Sequence, residues 1–158
     1  MAVRLPTGRP KDWRDLRFED GGSLPIALRN RRVNWIKWGR VRGDPGARLW
    51  PPGGWVDHTV IKSGKWWRLN PRPVVIPVMG YQMRTNWKGW KDDQWYYPMD
   101  SQAIQGALVT REGEQRVYMV VQPNEEYGTK IWPRLIGYLS HLVVWTDIAG
   151  ELLPDEMD

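Results

Sequence analysis

The chain has two histidines, His58 and His141, and no cysteine, so chemistry needing an imidazole or a thiolate has few places to occur. Asp57-His58 sets a carboxylate beside an imidazole, the pair from which a general base is built. In a strand, however, adjacent side chains leave on opposite faces, and on a helix residues i and i+1 diverge. Neither Asp57-His58 nor Ser140-His141 therefore makes a dyad by adjacency alone. Without cysteine there is no disulfide framework and no thiolate zinc site, and two isolated histidines do not complete one. Asp92-Asp93 with Asp100 offers hard oxygen ligands, but their spacing fits no calcium loop. No Gly-x-Gly-x-x-Gly run and no P-loop is present to cradle a phosphate. The residues thus predict a non-enzymatic chain with no catalytic residues, no cofactor and no metal.

Contact chemistry is better supplied. Twelve tryptophans stand against one phenylalanine in 158 residues, and nine lie between Trp35 and Trp95. Indole has a wide apolar face and a single N–H donor, which suits it to cores and to wet interfaces alike. A chain this short cannot hide so many rings, and some are expected to meet a partner. Arg29, Arg31, Arg32, Trp35, Lys37, Trp38, Arg40 and Arg42 interleave cations with rings, a pattern that single-strand nucleic-acid binders use to hold phosphates and stack bases. The same residues also read as protein-contact or core positions with arginines stacked on rings, and that reading is preferred. Trp13, Arg29, Arg31, Arg32, Trp35 and Trp38 are the expected partner-contact residues.

Gly89-Trp90-Lys91-Asp92-Asp93-Gln94-Trp95-Tyr96-Tyr97 resembles the Gly-Trp…Trp-Tyr-Tyr hairpins of choline- and glucan-binding cell-wall repeats. Gly54-Trp55-Val56 followed by Gly64-Lys65-Trp66-Trp67-Arg68-Leu69-Asn70 is similar to the same pattern. The resemblance covers about a third of the chain. It implies aromatic cages for a quaternary ammonium or a sugar face, lined by Trp55, Trp66, Trp67, Trp90, Trp95 and Tyr96. A carbohydrate- or choline-binding module is therefore one alternative function, and a single-stranded nucleic-acid-binding protein another.

The elements that must position these residues are mostly β. Sixteen glycines and thirteen prolines predict many turns and at most one or two short helices. Residues 1–32 read as an extended basic N-terminal arm, with one helical turn at 12–18; a strand-rich start wrapped on its own core is the competing reading. Residues 33–150 read as a β-rich globular domain, a small sandwich or open barrel, and 151–158 as an acidic C-terminal tail. A strand is expected within 33–41. A hairpin with Ser63-Gly64 at its tip is expected over 55–69, and Pro71, Pro73 and Pro77 place Val74-Val75-Ile76 at an edge or outside a full ladder. The clearest element is a hairpin over 103–122 turning at Glu112-Gly113 and ended by Pro123. Trp132-Pro133 opens an expected helix with Leu135, Ile136, Leu139, Leu142 and Val143 on one stripe, a strand over 139–146 being the competitor.

Charge is polarised. Residues 1–79 carry a balance of +10 and residues 80–158 a balance of −5, within a net +5 at pH 7. Such a chain can dock head-to-tail on its own copies or turn its basic half toward a polyanion. The start of the chain lacks the apolar run of a signal peptide, and no stretch is long enough to span a bilayer, so cytoplasmic synthesis is expected. Together these features predict a structural subunit that packs through its arm and Trp-rich surface against other protein subunits, or against copies of itself. A virion component (a phage minor tail, connector or capsid-accessory protein) is the expected kind, with the virion as its site of action. Nucleic acid is the less favoured partner.

Overall fold

The computed structural model describes residues 1–6, 12–27, 33–44, 49–83, 86–87, 90–91, 94–99, 102–123 and 131–137. Its centre is the hairpin of β10 (Gln102–Arg111) and β11 (Glu114–Pro123). Glu112 and Gly113 join them with φ of 51° and 80°, the positive pair that a two-residue hairpin turn of matching twist requires. The side-chain period of two then sorts the hairpin onto two cores. Ile104, Val117, Met119 and Val121 enter the larger one, while Ala107, Val109, Tyr118 and Val120 enter a smaller one with Trp50, Val56 and Leu69. Because both faces are covered, Val117–Val121 is buried without interruption.

The main sheet runs β12 (Ile131–Pro133), β11, β10, β6 (Arg72–Ile76), β3 (Ser23–Ala27), β4 (Val33–Lys37). It then curls back on itself. Trp38, the residue after β4, bridges Val117 of β11 in parallel, and the Gly39 N–H donates to the Val117 carbonyl at 2.8 Å. Trp38 is 2 % exposed, its indole N–H donates to the Gly54 carbonyl at 2.9 Å, and Phe18 meets its ring edge-on at 5.3 Å. Two glycines allow this closure. Gly39 sits at φ +54° with a would-be Cβ 2.2 Å from the Gly53 oxygen, and a Cβ on Gly54 would come within 2.8 Å of the Trp38 indole nitrogen.

A second sheet, β2 (Trp13–Arg17), β1 (Ala2–Pro6) and β7 (Gly80–Gln82), packs its inner face on the larger core. Val3 and Leu5 of β1 are fully buried there with Leu24, Ile26, Ile76 and Ile104. On the other side of the hairpin, β5 (Trp55–Asp57) pairs in parallel with β11 and leads into α1 (His58–Lys62) and a 3₁₀ turn at Trp67–Leu69, which cover the smaller core. The described residues therefore stack as sheet, large core, hairpin, small core and short helical layer. A short pair, β8 (Asn86–Trp87) with β9 (Trp90–Lys91), stands apart. Between β12 and β13 (Leu135–Gly137), Arg134 wedges into the hairpin where its ladder opens. Its N–H donates to the Val120 carbonyl and its carbonyl accepts from the Gln105 N–H, both at 2.8 Å.

The mainly β class with one short helix agrees with the expectation from sequence, as does the hairpin turning at Glu112-Gly113. The arm does not. In the described part of 1–32, β1 is the central strand of its sheet and β3 is an interior strand of the main one, so these residues wrap on the core, as in the competing reading. Alternation placed Val3 and Leu5 on one face, and their burial outweighs the proline and glycine punctuation. Residues 13–17 form a strand and not a helical turn, because Leu16 pairs with Val3 above the core. The hairpin expected over 55–69 is a strand, a helix and a 3₁₀ turn: the Asp57 carboxylate caps the helix by accepting the Thr59 N–H at 2.8 Å. β6 is interior, with five registered pairs to β10, yet it meets β3 at the single pair Ala27 and Val75. Residues 131–137 are strands where a helix was expected; the rest of that segment and 151–158 lie outside the described residues.

Leu5→Ala is expected to cost about 2–5 kcal/mol in urea unfolding, the loss typical of a buried leucine. A value near zero would return residues 1–6 to the status of a loose arm.

Candidate contact surface

Alternation along β1 sends Val3 and Leu5 inward, and Arg4 outward onto the free face of the second sheet. Arg4 is registered with Asp15 on β2 and with Gly80 on β7. Its guanidinium forks onto the Asp15 carboxylate at 2.8 and 3.2 Å and donates to the Tyr97 hydroxyl at 2.7 Å. Three rings surround it, Trp95 at 4.1 Å, Trp13 at 5.1 Å and Tyr97 at 5.9 Å from their centroids. The hydrogen bond to Asp15 raises the Arg4 pKa, against burial, so the cation is permanent. Gly80 makes room: a Cβ there would stand 3.0 Å from the Tyr97 ring. At the edge of the same sheet Arg14 lies 5.6 Å from the Trp35 ring on β4. Trp13 and Trp35 remain 46 % and 45 % exposed, although each already packs on an arginine.

The free face holds one of the expected partner-contact residues, Trp13, while Trp35 is exposed past the β2 edge beside Arg14, which shares the face of Leu5. Trp38 is on neither, being buried where the main sheet curls back to β11, and Arg29, Arg31 and Arg32 lie outside the described residues. Arg4, Asp15 and Tyr97 were missed by sequence reasoning. The polar residue between two apolar ones in Val3-Arg4-Leu5 was the available signal, because a strand must turn it to the opposite face.

The residues of the cell-wall-repeat resemblance are not brought into one cage. Trp55 is exposed on β5, Trp66 packs edge-on against Tyr118 at 4.9 Å, and Trp67 is exposed on the 3₁₀ turn. Trp95 covers Arg4, while Tyr96 stacks on Tyr81 at 5.8 Å and meets Trp132 edge-on at 4.5 Å. The Trp90 side chain lies outside what is described.

Asp57 and His58 do not cooperate as an acid–base pair. Asp57 Oδ1 accepts both the Thr59 N–H and the Thr59 hydroxyl at 2.8 Å. His58 has its pKa lowered by burial first and then by the charges of Arg134 and Lys62, with Asp57 only opposing them. The deepest ionic group is structural: Arg116 donates to Asp44 at 2.6 Å and to the Gly39 carbonyl at 2.9 Å, with its guanidinium 4.9 Å from the Trp50 ring. Tyr118, its phenol pushed up by burial, donates to the Pro51 carbonyl at 2.7 Å. Among the described residues no three His, Asp or Glu side chains group to hold a metal, and no helix is long and apolar enough to cross a membrane.

No protein-family model matches the chain, and no curated protein and no solved structure is similar to it.

An NMR titration of His58 is expected to give a midpoint below the ordinary 6.5. The folded chain then binds this proton more weakly than the unfolded one, so the group's contribution to stability falls as pH drops through 6.5. A midpoint above that value would mean that Asp57 governs the imidazole after all.

Proposed function

We propose that the protein is a non-enzymatic assembly subunit that docks other protein subunits through the free face of the β2–β1–β7 sheet and the β2 edge beside it. The carrying observation is the aromatic–arginine surface around Arg4, in which Trp13 stays nearly half exposed beside a packed cation, together with Trp35, equally exposed past the β2 edge beside Arg14. Tryptophan, tyrosine and arginine are the residues most enriched at energetic hot spots, and here their rotamers are already fixed by one another. Asp15 and Glu19 lie among Arg14 and Arg17 at the β2 edge, beside Arg4 on the central strand, a mixed charge pattern suited to a protein partner and poorly suited to a polyanion. Copies of the chain are one such partner, in keeping with its polarised charge. The narrower proposal of a virion component rests on the general character of the chain alone.

Hydroxyl-radical footprinting tests the reading, comparing the isolated chain with the complex recovered through a tag on it. Trp13 and Trp35 are expected to oxidise readily in the isolated chain and to be protected in the complex. Equal oxidation in both samples, or recovery of the chain as a monomer with nothing bound, would contradict it.

A further inference from the structure

A second exposed surface lies across the molecule, on the short helical layer. Helix α1 ends in a run of turns in which the Ser63 N–H donates to Thr59, Gly64 to Ile61, Trp67 to Gly64 and Leu69 to Trp66, all at 2.9–3.2 Å. Two side chains pin this run to the small core: Trp66, edge-on to Tyr118, and buried Leu69. With positions 66 and 69 held inward, 67 and 68 must face out. Trp67 is 69 % exposed, the most open tryptophan among the described residues, and the Arg68 guanidinium lies 5.3 Å from its ring. Lys62 and Lys65 flank it, both exposed.

The charge along this segment of the chain is of one sign. From His58 to Met83 the sequence contains no acidic residue, and the adjoining Asp57 carboxylate is spent on the helix cap. The lowered pKa of His58, caused after burial by Arg134 and Lys62, reports the same positive field from within the layer. This contrasts with the mixed charge around Arg4. A protein partner would have to bring acidic groups to this patch and leave the flat indole face to find its own complement. A polyanion with planar rings satisfies both demands at once.

We infer that the 62–68 turn is a single-stranded nucleic-acid contact, with Trp67 and Arg68 stacking a base and Lys62, Lys65 and Arg68 meeting the phosphates. The stacking ring is held at a fixed place by Trp66 and Leu69, so little order is lost on binding. Duplex DNA hides its base faces and offers nothing to Trp67, so the patch selects single strands.

Fluorescence anisotropy with a labelled oligo(dT) of about 20 nucleotides tests this. Binding is expected, with a log–log salt slope of about −2 for three neutralised phosphates. Trp67→Ala should weaken it about ten-fold or more, Trp67→Phe should retain most of it, and Lys62→Glu with Lys65→Glu should abolish it at moderate salt. Trp13→Ala, on the opposite face, should leave it unchanged, which keeps this outcome separate from that of the docking proposal. No binding at low salt would overturn the inference. So would equal binding of a duplex, equal binding of heparin that survives Trp67→Ala, or loss of binding only in Trp13→Ala.

Discussion

Trp38 closes the fold. Its indole is enclosed between the end of β4, the glycine turn at 53–54 and Phe18, and it brings the last strand of the main sheet back to the hairpin. Without this contact nothing would tie the end of β4 back to β11, and the larger core would lose its side wall. The closure depends on absences as much as on the ring, since Gly39 and Gly54 leave no space for a Cβ. The core holds Trp38 together with Trp132, Tyr81 and the aliphatic side chains of five strands, β1, β3, β6, β10 and β11.

A buried ion pair fixes the loop that follows the closure. Arg116 and Asp44 are both almost fully enclosed, and Lys37 adds a second cation to Asp44 at 3.1 Å. Such a pair adds little net stability against an apolar replacement, but removing one member strands the other charge at a cost of about 3–5 kcal/mol. Its effect is to specify one placement of residues 39–44 over Trp50. The Trp50 indole N–H finds no hydrogen-bond acceptor among the described residues, and its ring serves Arg116 instead.

What was legible in the sequence was whatever rested on local pattern. The β10–β11 hairpin could be read because Val117–Val121 and Glu112-Gly113 are local signals that the tertiary fold leaves intact. Residues 1–27 were misread because proline and glycine punctuation suggests an arm, whereas what orders β1 is burial of Val3 and Leu5 against strands some seventy to a hundred residues away. The 55–69 segment failed for a smaller reason: Asp57 reads equally as a strand residue and as a helix cap, and only the cap geometry distinguishes them. For the surface, the surplus of tryptophan was legible, but which rings are surplus was not. Trp35 and Trp38 lie three residues apart with the same basic neighbours, yet one is open to solvent and the other is the most enclosed indole among the described residues. Face assignment depends on register, and register is set by partner strands.

The two exposed faces differ in the way that matters for function. One mixes acids with arginines around packed rings, and the other is built from a segment without acids around a single open indole. The claim common to both is that these rings are presented outward by the fold and do not hold it together. Urea unfolding of the quadruple variant Trp13→Gln, Trp35→Gln, Trp55→Gln, Trp67→Gln, set beside Trp38→Ala alone, tests that claim most directly. The account predicts that the four surface changes together lose less than the single core change, which should cost about 3–5 kcal/mol. A quadruple variant less stable than Trp38→Ala would show that the outer rings carry the fold, and would contradict it.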